Sequence, residues 1–436
     1  MRSLQSIRSL FLAPVRSGSL LEVVTYTVMG SSAKREYSQE FLQKCYDDHR
    51  ALWESKKQPE NVNPRAVFAS NELDLRDIKV YGFDYDYTLA HYEEAVEHLI
   101  YDLGKNVLIS KYRQNKMAHL ADLFSLPEMC LLSQVAQYFL DNNIPYHSVP
   151  LFNDVKAAIA SIHPEMHRVV GRNISEYLIK DPSLVDFFDR LKKHNKEIFI
   201  ITNSPFYFVN AGMSYILGEN WRDYFDVVVA NAKKPAFFTD SMRPFRELNE
   251  EIHVQTWGPV TSLDKGKIYL EGNLQQLQQV KGWQGQEVLY FGDHPYTDLA
   301  DVSLNHSWRT GAIIWELDYE IQCLNSEEYK KTSGWLMILQ SLIESCQDFE
   351  DEESRKMIKK WEMERDQLRK KTKAIFNPHF GSVFRTHDNP TYFSRRLFRY
   401  ADVYTSRLSN LNNYSINHTF YPRRGVLPHE YKALFV

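Results

Sequence analysis

The chain is poor in cysteine, lacks long apolar runs and carries no large excess of either charge, and each shortage closes off a class of protein. Its 436 residues include 4 cysteines, Cys45, Cys130, Cys323 and Cys346, scattered with no CxxC and no histidine pair at zinc spacing. That excludes a disulfide scaffold and a thiolate metal centre, and leaves reduced intracellular thiols as the expectation. No uninterrupted apolar stretch reaches the ~18 residues that a spanning helix needs, so no membrane span is expected. Lys+Arg 52 against Asp+Glu 56 gives a net charge of −4, which argues against a nucleic-acid-binding polycation. What remains is ordinary globular material, 43% hydrophobic, with enough apolar residues to build a core.

Composition then divides the chain. Residues 1–35 carry Arg2, Arg8, Arg16, Lys34 and Arg35 against a single acid, Glu22, together with seven serines. A basic, Ser-rich and acid-poor tail has the composition of a mitochondrial transit peptide, so mitochondrial targeting is the expectation, with a cytoplasmic protein and an idle tail as the alternative. Residues 36–92 read as an N-terminal helix, over 38–58 with Phe41, Leu42, Cys45 and Trp53 on one face, and the first part of a core. Short apolar runs at 78–83, 197–201, 226–230 and 288–291 read as buried strands separated by helices, the pattern of an α/β, doubly wound parallel sheet. Residues 93–180 are too long for one crossover and read as an inserted, mostly helical cap, and 181–330 as the rest of the core. Residues 331–436 read as a helical extension, in which Trp361, Leu368 and Ile375 suit one stripe packed on its own domain better than a coiled-coil seam. Asp351/Arg355, Glu352/Lys356 and Asp366/Lys370 are spaced for i,i+4 ion pairs on that exposed helix.

The chemistry gathers where strands end. Asp84 and Asp86 are two apart in extended chain, so they share a face at the carboxyl end of the first strand, where open α/β sheets bind ligands. Two carboxylates so placed repel each other and favour a cation. The second strand runs into Thr202-Asn203-Ser204, whose hydroxyls and amide could hold phosphate oxygens. Lys234 follows the third, and Pro235 biases it to extended backbone that could aim its ammonium into a site. The fourth leads into Gly292-Asp293-His294-Pro295-Tyr296-Thr297-Asp298, which adds two more acids after a glycine that permits close backbone approach. Singly, Thr202 suits a turn, Lys234 the surface and Asp293 a helix N-cap; in this order, each after a strand, they form the inventory of a magnesium-dependent phosphoryl-transfer site. His294 reads as structural, since an oxygen-rich site has no use for imidazole.

These residues resemble the four ordered motifs of the haloacid dehalogenase superfamily, and within it the 5′-nucleotidase domain-containing proteins, relatives of the cytosolic purine 5′-nucleotidase. The likeness runs through Gly82–Leu89, Thr202–Ser204, Lys234-Pro235, Gly292–Asp298 and Trp308–Thr310 to Arg399–Tyr404 and Leu427–Glu430, and covers nearly everything from about residue 35 onward. It implies that Asp84 attacks phosphorus and that Asp86 protonates the departing oxygen and then activates water. It also implies that Asp84, Asp86 (through its main chain), Asp293 and Asp298 hold Mg²⁺, while Thr202, Asn203, Ser204 and Lys234 serve the phosphate. The implied function is a 5′-nucleotidase acting on nucleoside monophosphates. An interaction protein with a vestigial phosphatase site, and a phosphatase of another small phosphate ester, stay open beside it. An assembly of identical copies stays open as well. The aromatic and arginine-rich stretch around Arg395, Arg396 and Arg399 reads as an amphipathic helix before it reads as a nucleic-acid surface. In one respect the chain departs from the resemblance: Tyr112-Arg113 runs almost directly into Met117–Leu126, so roughly a third to a half of the expected cap is missing. Caps exclude water and select substrate in such enzymes.

Overall fold

A computed structural model describes residues 39–112, 126–423 and 427–430. The basic tail and the junction at 113–125, on which the expectation of a short cap falls, lie outside these. The described residues form two compact units: the larger joins Arg65–Trp315 to Arg396–Pro422, and the smaller takes in 39–64, Glu316–Arg395 and those from Arg423.

The larger unit is built on a ten-stranded sheet. Its strands are β1 (Phe68–Ala69), β2 (Val80–Phe83), β3 (Glu197–Ile201), β4 (Val227–Ala230), β5 (Phe245–Asn249), β6 (Val254–Gln255), β7 (Ile268–Glu271), β8 (Val288–Gly292), β9 (Arg309–Ile313) and β10 (Val403–Thr405). In space they run β1-β10-β9-β8-β2-β3-β4-β7-β5-β6. From β10 through β7 every neighbouring pair is parallel, and the antiparallel pairs lie at the two edges. β2, β4 and β8 are buried throughout and carry no charged residue, as strands covered on both faces must. All four strands expected from the sequence are present within one or two residues of their expected bounds.

The order of the strands creates the site. From β2 the chain steps to β3 and β4 on one side, then returns to place β8 on the other side of β2. The carboxyl ends of β3, β2 and β8 therefore flank the point where the winding reverses, the crevice where such sheets take ligands. Between β2 and β3 three long helices, Glu94–Tyr112, Leu126–Asp141 and Ser148–Arg172, form the inserted layer. The last of these buries Leu151, Val155, Ile159, Ile162, Met166 and Val170, an i, i+3/i+4 stripe, into the core of the unit.

The smaller unit is helical. Gln39–Ser55, Glu327–Cys346 and Glu352–Phe376 pack around Leu42, Trp53, Trp335, Leu339 and Trp361. Trp361 is buried and Leu368 joins the same cluster, so the stripe packs on its own unit. Three expectations are corrected. Phe41, placed on the inner face by its spacing, stands 45% exposed, because Leu42 takes the buried position beside it. Of the expected i,i+4 pairs Glu352–Lys356 forms at 2.6 Å, whereas Asp351 caps the helix by accepting from Ser354 N and Asp366 pairs with its neighbour Arg365. The stretch after residue 331 is not helical throughout: β10 joins the central sheet beside β9, and Asp402 just before it accepts from Thr310 N and pairs with Arg309 at 3.1 Å. No helix among the described residues is long and apolar enough to cross a membrane.

Candidate active site

Each site residue is carried by the end of a strand that the sheet itself fixes. Asp84 follows β2, and its main-chain N–H bonds to the Phe291 carbonyl of β8, so the ladder continues through Asp84. Its carboxylate is buried. Asp84 Oδ1 accepts from Tyr85 N at 2.7 Å and meets Lys234 Nζ at 2.8 Å. Lys234 Nζ also bonds Asp298 Oδ1 at 2.6 Å, with a side chain only 2% exposed, so one ammonium bridges two carboxylates. Asp298 Oδ2 in turn accepts from His294 N at 3.2 Å. The aspartate reaches this position because residue 292 is glycine: a Cβ there would lie 2.4 Å from the Asp298 Cβ.

Carboxylate oxygens of Asp84, Asp293 and Asp298 lie within 4.8 Å of one another. One lysine cannot balance three acids in a buried site. Burial, against the pull of Lys234 and with the push of Asp298 and Asp86, raises Asp84 to about 7. Burial and the two neighbouring aspartates push Asp293 well above the usual carboxylate range. Burial works against the charge on Lys234, yet Asp298 and Asp84 outweigh it and hold the ammonium well above an ordinary lysine. A hard divalent cation with oxygen ligands fits this donor set, and the carboxylate repulsion is what such an ion would relieve.

The neighbouring acid is held differently. Asp86 Oδ1 accepts from the Tyr92 hydroxyl at 2.5 Å and Oδ2 from the Ser204 hydroxyl at 2.6 Å. Its carboxylate is therefore not one of the three that converge, which leaves only its main chain for the metal role expected of it. Ser204, expected to face phosphate, is spent on Asp86 instead. Thr202 is fully buried, and its Oγ1 accepts from Ser204 N at 3.1 Å, shaping the turn after β3. Asn203 is exposed and turned to the lysine loop: its Oδ1 accepts from Lys234 N at 2.6 Å and its Nδ2 donates to the Lys234 carbonyl at 3.1 Å. It positions the lysine backbone. His294 is structural, as expected, and takes the N-cap role that Asp293 could have had: its Nδ1 accepts from Tyr296 N and Thr297 N at the head of the π-helical turn Pro295–Ala300.

Sequence reasoning misses three partners. Tyr92 enters through the pairing of His91-Tyr92 with Leu178-Ile179, a contact that no local pattern announces. Tyr290 sits in β8 with its hydroxyl 3.4 Å from Lys234 Nζ, and strand alternation from Gly292 is the signal that could find it. His167, on the last cap helix, sets its ring 4.4 Å from that of Phe208 at a tilt of 32°; burial lowers its pKa, while the nearby Asp86 charge pulls the other way.

Comparison with known proteins places this geometry. A sequence model described as the 5' nucleotidase family matches residues 67–115 and 110–432. The human protein named 5'-nucleotidase domain-containing protein 2 is 39% identical over 446 residues, covering 85% of this chain and 86% of that one. A 5'-nucleotidase domain-containing protein of Dictyostelium discoideum is 33% identical over 448 residues, covering 85% of this chain and 76% of its own. Among solved structures, the beta-phosphoglucomutase of Clostridium difficile aligns over 60% of this chain and 99% of its own at 12% identity, with a TM-score of 0.24. The family model and the relatives agree, and the chain belongs to the 5' nucleotidase family.

Proposed function

We propose that the chain is a Mg²⁺-dependent phosphohydrolase that removes the 5′-phosphate of nucleoside monophosphates through an aspartyl-phosphate. The convergence of Asp84, Asp293 and Asp298 on one bridging lysine, at the reversal point of the sheet, carries the reading. Asp84 Oδ1 is occupied by Tyr85 N and Lys234, so Oδ2 is the atom presented for attack. Its lone pair forms the new O–P bond as the P–O5′ bond breaks, and Asp86 delivers a proton to the departing ribose oxygen. Asp86 then takes a proton from water, whose oxygen attacks phosphorus, and Asp84 leaves as the carboxylate. Tyr92 and Ser204 hold Asp86 in one rotamer for both transfers. Lys234 offsets charge on the phosphoryl oxygens. Asp84, Asp293, Asp298 and the Asp86 main chain would hold the magnesium ion, which supplies charge neutralisation at the phosphoryl group.

The family supports a phosphohydrolase, and the site supports the finer reading. A phosphate-release panel of nucleotides, sugar phosphates and phosphoserine, with and without EDTA and beside Asp84→Asn, tests it. Release from nucleoside monophosphates, lost in EDTA and in Asp84→Asn, is expected; release indifferent to both overturns the mechanism. The short cap sets a second expectation. The family match falls into two stretches that overlap at residues 110–115, which supports the reading of a short cap. A reduced lid should grip the base poorly, so KM rises more than kcat falls. A version carrying a full-length family cap should regain base selectivity, and equal kcat/KM in the two removes the cap from recognition. The basic tail, fused to a fluorescent protein, should direct it to mitochondria; a cytoplasmic signal rejects targeting.

A further inference from the structure

We propose that the smaller unit carries a separate ligand site, one that takes a small aromatic acid: a flat ring system bearing a single carboxylate, sulfonate or phosphate. A cavity of about 310 Å³ lies within this unit. That is the size at which pockets begin to enclose small molecules, ~300 Å³ and upward. None of its lining residues belongs to the phosphohydrolase site, so the two readings stand or fall apart.

The lining has two chemistries. One part is apolar, with Leu324, Leu336, Tyr329 and Phe376, the two rings meeting edge to face at 5.2 Å. The other part is ionic, and its charges are unevenly matched. Arg385 is engaged by Glu430 through Nε at 2.5 Å and Nη2 at 2.6 Å, a bidentate pair that satisfies both partners. Arg369 reaches Asp388 only at 3.7 Å. Lys373 makes no ion pair among the described residues, although its neighbour Lys371 pairs with Glu328 at 3.1 Å. The Lys373 stem is fixed in the wall by Gly381, whose φ of +79° suits glycine and whose missing Cβ would fall 2.9 Å from Lys373 Cγ. The remaining acid, Glu320, is buried and accepts a hydrogen bond from Ser382 Oγ. Burial raises its carboxyl to about 7, so it is not a full counter-charge at neutral pH. An apolar slot beside one uncompensated ammonium recognises a ligand with a flat apolar body and one anionic group. The ring buries against Tyr329 and Phe376, and the acid meets Lys373 with Arg369 near it.

The test uses the full chain and anilinonaphthalene sulfonate as the probe, followed by fluorescence and by calorimetry. Near one molar equivalent of saturable binding is expected, displaced by naphthalene sulfonate, naphthoate or naphthyl phosphate, with their order showing which acid the site prefers. Lys373→Gln should weaken it about tenfold, the scale of one charge-assisted hydrogen bond, and Lys373→Arg should restore most of the loss. Ser333→Phe, which fills the cavity from the helix Glu327–Cys346, should abolish it. Lys373 is exposed, so Lys373→Gln should fold normally and decides the matter even if Ser333→Phe does not. Equal affinity in Lys373→Gln, naphthol binding as tightly as the acids, or no saturable binding below about millimolar probe, each overturns the site.

Discussion

Two ion clusters in this chain balance their charge in opposite ways. In the larger unit one ammonium, Lys234, serves Asp84 and Asp298, with Asp293 beside them, and carboxylates outnumber cations. In the smaller unit Arg385 and Glu430 match one to one, both forks engaged. A matched pair stands by itself and marks architecture, whereas an excess of buried charge persists only if something outside the chain completes it. The aspartates at the strand ends are thus the candidate functional cluster, although both clusters are ionic and drawn from residues far apart in sequence.

The sharpest way to break this contrast is to remove the proposed nucleophile. Asp84→Asn should lower nucleotide hydrolysis by about 10³-fold or more, as loss of a covalent catalyst does. Metal-free stability should not fall, because one of the repelling carboxylates is gone. Phosphate release and urea unfolding on the same sample check both halves. Next comes Asp86→Asn, expected to cost about 10²–10⁴-fold on a nucleotide and distinctly less on nitrophenyl phosphate, whose leaving group needs no proton. Equal losses on the two substrates would confine Asp86 to a structural or metal role.

A third kind of buried group carries no charge at all. Burial, with Arg407 adding to it, lowers His91 to about 4 from an ordinary 6.5. The unfolded chain then binds the proton first as pH falls, so stability is complete above pH 6.5 and is lost between there and pH 4. The full loss is about 3 kcal/mol. Glu320, raised to about 7, acts with the opposite sign, so the effect is read as the difference between the pH–stability curves of the protein and His91→Asn. A flat difference would mean that His91 is not held neutral.

Magnesium distinguishes the clusters directly. At about a hundred times its dissociation constant it should stabilise the protein by about 2.7 kcal/mol, and EDTA should reverse this. Asp293→Asn should abolish that response, while Glu430→Gln should lower the baseline and leave the response intact. A response unaffected by Asp293→Asn would move the ion elsewhere. The smallest effect is expected from Arg385→Ala, about 2 kcal/mol in urea, because it leaves Glu430 buried without a partner while water still reaches part of the arginine. Restoration by Glu430→Gln in that background would show that the cost is the stranded carboxylate.

Much of the site is legible in the order of residues. Asp84, Lys234, Asp293 and Asp298 each follow a short apolar run, and the rule that ligands gather at the carboxyl ends of strands makes them candidates. The partners that the sequence does not announce share a cause. Asn203 and Ser204 have the right chemistry for phosphate, but their partners, the Lys234 backbone and the Asp86 carboxylate, are set by the spacing between neighbouring strands. The strand at Val403–Thr405 is hidden in a stretch expected to be helical, since three residues are too few for periodicity to register.

Local spacing by itself determined the class of fold, the strand that bears each acid, and the chemistry those acids could support, because a period of two and a breaker after it are properties of adjacent residues. It also determined that His294 belongs to the architecture. Only the tertiary structure decided which acids meet. Asp84, Asp293 and Asp298 converge because β8 returns to the far side of β2, and Asp86 stands apart because Tyr92 and Ser204 claim it first. Such choices depend on distances across the sheet, which a linear order of residues does not contain.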